Sequence, residues 1–142
     1  MFVDASAILA ILTEEPEGEA LAIILDAGRS RRPITSVLAV WESAVGLFRK
    51  KPIPMAEAEA RVQEFLEIAG VQVLPIANKE LSIALQAFDR YGRHRYPDAE
   101  RNQALNLADC FHYACAKSYR TSILHKDPGF ALTDVPTAAE SG

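Results

Sequence analysis

The chain has 142 residues, 49% hydrophobic and 24% charged, with a formal net charge of -4. That length fits one domain with a proper core. The acidic balance excludes a protein that grips nucleic acid over its whole surface, and no uncharged run is long enough to span a membrane.

In chain order, Phe2 and Val3 read as a buried strand and Ala5 to Leu12 as a helix, so Asp4 stands at a strand's C-terminal end. Ligands bind at that edge in open α/β sheets, although Asp is also a favoured N-cap. This apolar opening has no basic start and contains a carboxylate, so it is not expected to be a secretory signal, and a cytoplasmic location is expected. Glu17 to Ala27 is a helix that Gly28 can end, Pro33 to Thr35 a short strand, and Ser36 a cap for a helix over Val37 to Arg49. Met55 to Ala69 forms a helix with Val62, Phe65 and Leu66 on one face, and Val71 to Ile76 a third strand. Lys79 to Tyr91 is a helix whose Leu81, Leu85 and Phe88 should face inward.

A polar loop to Gln103 precedes a helix capped by Asn106 and running to Ala116. Within it Cys110 and Cys115 are the only cysteines, five residues apart, which excludes a bridge between them and a cysteine zinc site. Ser122 to Leu124 is a fourth strand. A turn at Asp127-Pro128-Gly129 leads to a short edge strand near Leu132 to Val135, and Pro136 to Gly142 should fray. The β-α alternation predicts an α/β fold, a single domain over residues 1–135 with a parallel sheet of four to five strands flanked by helices.

Three acids stand out. Glu42 lies in a helix where it and Ser43 are the only polar side chains between Val37 and Phe48, so an ionised Glu42 needs a partner, a metal or water. The alternative is a narrow solvent-facing stripe shared with Ala39, Ser43 and Gly46. Asp109, three residues after Asn106, can complete a capping box. If Asp4, Glu42 and Asp109 meet about 5 Å apart, their mutual repulsion is on the order of 10 kcal/mol. Only protonation or a cation relieves that, and hard oxygen ligands suit Mg²⁺ or Mn²⁺ and hence phosphodiester or phosphoryl chemistry.

Basic and aromatic residues gather at Arg90, Tyr91, Arg93, His94, Arg95, Tyr96 and Arg101, where they could grip RNA phosphates or simply form a solvated loop. His94, His112 and His125 show no metal-ligand spacing. Trp41 and Phe48 belong to the core or, if exposed, to a partner interface.

The opening Phe2-Val3-Asp4-Ala5-Ser6-Ala7, Thr35-Ser36 followed by Glu42, Tyr91-Gly92-Arg93, Leu105-Asn106-Leu107-Ala108-Asp109-Cys110, and the tail from Leu124-His125-Lys126 to Phe130-Ala131-Leu132-Thr133-Asp134 resemble, in that order, the PIN-domain ribonucleases, specifically the VapC toxins of type II toxin–antitoxin pairs. The resemblance implies a Mg²⁺-dependent endoribonuclease toxin held by a cognate VapB-type antitoxin, acting on RNA as a homodimer or a toxin–antitoxin hetero-oligomer. It assigns Asp4, Glu42 and Asp109 to the acidic site, with Asp4 and Asp109 as metal ligands, Ser6 and Asn106 in support, and Arg93 and Arg95 toward RNA. The family's fourth acid, in Gly-X-Asp-Phe, falls on Gly129 here, which leaves Asp127 as its replacement and Asp134 as a weaker substitute. That departure keeps open a catalytically impaired module that binds antitoxin or RNA. An α/β phosphatase with Asp4 as nucleophile is the other alternative.

Overall fold

Four short strands, β1 (Phe2–Val3), β2 (Ile34–Ser36), β3 (Gln72–Leu74) and β4 (Ile123–Leu124), pair in parallel in the order β3-β2-β1-β4 in a computed structural model that describes residues 1–139. The chain begins on β1, builds outward through β2 and β3, then returns to add β4 on the other side. The order therefore reverses between β1 and β4, and the crevice beyond their C-terminal ends is where such sheets bind ligands.

Side-chain alternation along the strands divides the core between the two faces. Val3 and Leu124 pack with α1 (Ala5–Leu12), α2 (Gly18–Ala27), α3 (Val37–Lys50) and α4 (Met55–Ala69), through Ile8, Leu21, Leu47, Val62 and Leu66. Phe2 and Ile123 pack with α5 (Asn78–Tyr91), α6 (Leu107–Ser118) and the single turn α7 (Pro128–Ala131), through Leu105, Tyr113 and Phe130. Close approach of α2 to α1 needs Gly18, where a Cβ would lie 2.4 Å from the Ala10 carbonyl oxygen.

Three expectations are corrected. Leu81, Leu85 and Phe88 do not face inward; they are 47%, 61% and 51% exposed, and α5 buries Glu80, Ala84 and Ala87 instead. The small alanines let α5 lie close against α6. Glu80 tolerates burial because its oxygens accept the Ala77 backbone amide at 3.0 Å and the Ser118 hydroxyl at 3.2 Å.

No strand forms over Leu132 to Val135 among the described residues, because the turn that follows α7 occupies that stretch. The pairing appears two residues later, where Thr137 bridges Ile123, with Ile123 N–H donating to the Pro136 carbonyl at 3.0 Å and Ala138 N–H to the Ile123 carbonyl at 2.8 Å. Pro136 to Ala138 are thus tied to β4 rather than frayed, while Glu140 to Gly142, in the tail expected to fray, lie outside the described residues.

Candidate active site

Asp4 leaves β1 with extended backbone and caps α1 while standing at the C-terminal edge of the strand. Its Oδ2 accepts the Ser6 backbone amide at 3.1 Å and the Ser6 hydroxyl at 2.6 Å, which leaves Oδ1 facing the crevice. The Ser6 oxygen also accepts the Lys126 amide at 3.1 Å, joining the loop after β4 to the loop after β1.

Glu42 projects from α3, whose start is set by Ser36 accepting the Ala39 amide at 3.1 Å. The solvent-stripe alternative fails, since Ala39 and Ser43 are both fully buried and the Ser43 hydroxyl donates to the Ala39 carbonyl at 2.7 Å. A Glu42 carboxylate oxygen instead contacts His112 Nε2. Trp41, one residue earlier, is 62% exposed and lies outside the core.

His112 is the residue that sequence reasoning missed. Its ring is fully buried against Phe2, with centroids 5.4 Å apart, and its Nε2 lies 3.4 Å from Asp4 Oδ1. One ligand atom each from Asp4, Glu42 and His112 falls within 4.8 Å of the others. The available signal was the spacing to Asp109: residues three apart share a helix face, so an acid drawn into the crevice brings His112 with it.

Asp109 and Asn106 form the reciprocal cap expected at the start of α6. Asp109 N–H donates to the Asn106 side chain at 2.8 Å, and Asn106 N–H donates to Asp109 Oδ2 at 3.1 Å. Burial pushes the Asp109 carboxyl up to about 7; the charges of Asp4 and Asp127 push the same way, against the Asn106 amide and His112. Burial alone would depress His112, yet the hydrogen bond to Glu42 and the charges of Asp4, Glu42 and Asp109 raise it above its ordinary value. The donor set of carboxylates and one imidazole, buried with mutually repelling acids, fits a divalent cation.

Asp127 is close enough for its charge to act on Asp109, but its Oδ1 accepts the Gly129 amide at 2.8 Å as the cap of α7. Asp134 is held elsewhere, by the Tyr113 hydroxyl at 2.6 Å and Lys117 Nζ at 2.8 Å, toward the end of α6 opposite Asp109. At the Gly129 position a Cβ would lie 2.9 Å from the Gln103 carbonyl oxygen. Restoring an acid by Gly129→Asp is therefore expected to destabilise the protein by about 1–3 kcal/mol, measured by urea denaturation.

Arg95 is tied to the end of α5, its Nε donating to the Asp89 carbonyl at 2.6 Å and its guanidinium pairing with the Asp89 carboxylate at 3.4 Å. Arg93 borders an apolar groove lined by Leu81, Leu85, Phe88, Leu107 and Phe111, and a neighbouring groove joins Leu107 and Phe111 to Val37, Trp41 and Ile76. Cys110 and Cys115 are free and buried, and burial pushes both thiols up to about 11, which makes them inert core residues.

The PIN domain family model matches residues 1–136. A VapC ribonuclease of Rhizobium meliloti is 33% identical over 94% of this chain and 98% of its own length. A Ribonuclease VapC of Mycolicibacterium smegmatis is 32% identical over 95% and 97%. Among solved structures, the sarcin-ricin-loop-cleaving toxin VapC20 of Mycobacterium tuberculosis aligns with a TM-score of 0.67 at 16% identity, covering 94% of this chain and 95% of that one. A toxin–antitoxin complex from Klebsiella pneumoniae aligns with a TM-score of 0.63 at 16% identity, over 99% and 98%. The order of strands, the buried acids beyond β1 and β4, and these full-length matches together place the chain in the PIN-domain family, among the VapC ribonucleases.

Proposed function

We propose that this protein is a Mg²⁺-dependent endoribonuclease, the toxin of a toxin–antitoxin pair, which hydrolyses RNA phosphodiester bonds with water. The observation that carries the proposal is the convergence of Asp4, Glu42 and His112 within 4.8 Å at the sheet's ligand-binding edge, beside an Asp109 whose carboxyl burial holds near 7. An ion bound there would acidify a water and offset charge building on the phosphate.

The chain's own residues divide the remaining work. Asp4 and Asp109 would hold the cation. Ser6 keeps Asp4 Oδ1 turned to the crevice by engaging Oδ2, and Asn106 fixes the backbone of Asp109. Glu42, whose side chain is 26% exposed while Asp4 and His112 are closed off, stands at the mouth, where it can accept a proton from the attacking water. Asp127 adds negative charge at the rim, in place of the acid that Gly129 lacks. Arg93 is the better placed of the two arginines for an RNA phosphate, since Arg95 is already engaged by Asp89.

The apolar grooves beside Arg93 and Trp41 suit an amphipathic segment of a VapB-type antitoxin, which would lay apolar side chains on Leu85, Phe88 and Leu107 in a toxin–antitoxin hetero-oligomer. A cytoplasmic location follows from the substrate in this reading. The phosphatase alternative is disfavoured by Asp4 itself. Its Oδ2 is occupied by Ser6, its Oδ1 faces a buried imidazole, and it is 4% exposed, so it is poorly presented as a nucleophile. The impaired-module alternative rests on Gly129 and predicts binding without cleavage.

Metal-stripped protein incubated with total RNA tests the proposal. Cleavage is expected only after Mg²⁺ or Mn²⁺ is restored; undiminished cleavage in excess chelator would overturn the metal dependence, and no cleavage under either condition would favour the impaired module.

A further inference from the structure

We propose that His112 is itself a ligand of the bound ion, its Nε2 releasing to solvent the proton it shares with Glu42 as the ion binds, and that its nitrogen makes the site select Mn²⁺ over Mg²⁺; this rests on the metal site of the preceding section. Three observations lead there. The His112 ring is fully buried and packed on Phe2, so Nε2 has one direction to point, into the space between Asp4 and Glu42. Its Nδ1 has no hydrogen-bond partner among the described residues, so every polar contact the ring makes is directed at those two carboxylates. The 3.4 Å from Nε2 to Asp4 Oδ1 is close to the separation of about 3 Å between adjacent ligands on one ion with bonds near 2.1 Å.

Donor chemistry then sets the selectivity. Mg²⁺ takes oxygen ligands, keeps several of its waters and gives them up reluctantly. Imidazole suits transition ions, and Mn²⁺, which shares the carboxylate preference of Mg²⁺ but is itself a first-row transition ion, is the one of the two that tolerates a nitrogen ligand. A site in which one position is a fixed nitrogen therefore loses affinity for Mg²⁺ relative to Mn²⁺. His125 is the other imidazole within reach of the Asp4 charge, but its Nε2 is 3.0 Å from the Thr137 hydroxyl and its ring packs on Phe130, so it serves as the control.

The test uses metal-stripped full-length protein and two probes, Mn²⁺ and Mg²⁺ alone. Mn²⁺ binding is followed by its electron paramagnetic resonance signal, with Mg²⁺ as competitor, and the bound ion is interrogated by pulsed resonance for nitrogen coupling in protein grown with ordinary or ¹⁵N-labelled histidine. Mn²⁺ is expected to bind at least about tenfold more tightly than Mg²⁺, with a nitrogen coupling that changes on ¹⁵N-histidine labelling and persists in His125→Ala. His112→Gln is expected to lose the coupling and bring the two affinities within a few-fold of each other. The labelled wild-type measurement decides even where the variant does not fold. Bound Mn²⁺ without histidine coupling, a coupling lost in His125→Ala, or equal affinities in the wild type would overturn the proposal while leaving a metal nuclease intact. Failure of the wild type to bind either ion would overturn the underlying metal site as well.

Discussion

Asp4→Asn is expected to lower RNA cleavage by about 10²–10³-fold while leaving the fold in place. The substitution keeps a carbonyl oxygen to accept the Ser6 amide, so the cap of α1 survives. What it removes is the negative charge opposite His112 and Glu42, and with it one ligand of the proposed ion. Cleavage rates on one RNA, compared at matched thermal stability, measure this. A variant that retains full cleavage would contradict the assignment of Asp4 to the site, whereas a variant that merely unfolds would show as a lost melting transition.

Asp109→Asn should separate stability from activity more sharply. Burial holds the Asp109 carboxyl at about 7, above the ordinary 3.8, in a residue only 7% exposed. A carboxyl raised in the folded state contributes nothing adverse while both states are protonated, below about pH 4. As pH rises from there to about 7 the unfolded chain releases its proton more readily than the folded one, and stability falls; above that the cost is complete. The rise from 3.8 to about 7 corresponds to an upper limit on the order of 4 kcal/mol for the metal-free protein.

Asparagine carries no such charge and can still accept the Asn106 amide. Metal-free Asp109→Asn is therefore expected to melt several degrees above the wild type at pH 8, with the gap closing toward pH 4, and to cleave RNA about 10²-fold more slowly. Melting curves at both pH values check the first effect and a cleavage time course the second. The expected pair of effects means that activity is bought with stability at one residue, the trade that functional sites commonly make. A wild type that is the more stable of the two at pH 8 without metal would mean that Asp109 is fully compensated within the fold and that no such trade exists.

Local chemistry made much of this readable from the chain. The caps at Asp4, Ser36 and Asn106 are satisfied within a few residues of themselves, so their positions follow from short-range hydrogen bonding and locate the helix starts without reference to the rest of the fold. Phe2 and Val3 likewise announce a strand buried on both faces. The α5 face was not readable, because Leu81, Leu85 and Phe88 make the stronger apolar stripe while the buried side is defined by Ala84, Ala87 and a Glu80 whose partner Ser118 comes from another helix. A hydrophobic pattern cannot distinguish a core face from a partner-binding face. His112 was hidden for the same reason: its role depends on Glu42, 70 residues away on α3, and on Phe2 closing behind it. The tail misled through the Asp127-Pro128-Gly129 turn, which starts a helical turn rather than an edge strand.

The measurement that bears most directly on the central claim is end-group analysis of RNA cut by the metal-restored protein, with Asp4→Asn alongside. His112 is fully buried and has no access to a ribose hydroxyl, and Glu42 at the mouth faces solvent, so water is the nucleophile in this account. The products should then carry a linear phosphomonoester on one side of the cut and a hydroxyl on the other, and should be absent or strongly reduced with Asp4→Asn. Products ending in 2′,3′-cyclic phosphate, or the same ends formed equally by Asp4→Asn, would contradict it.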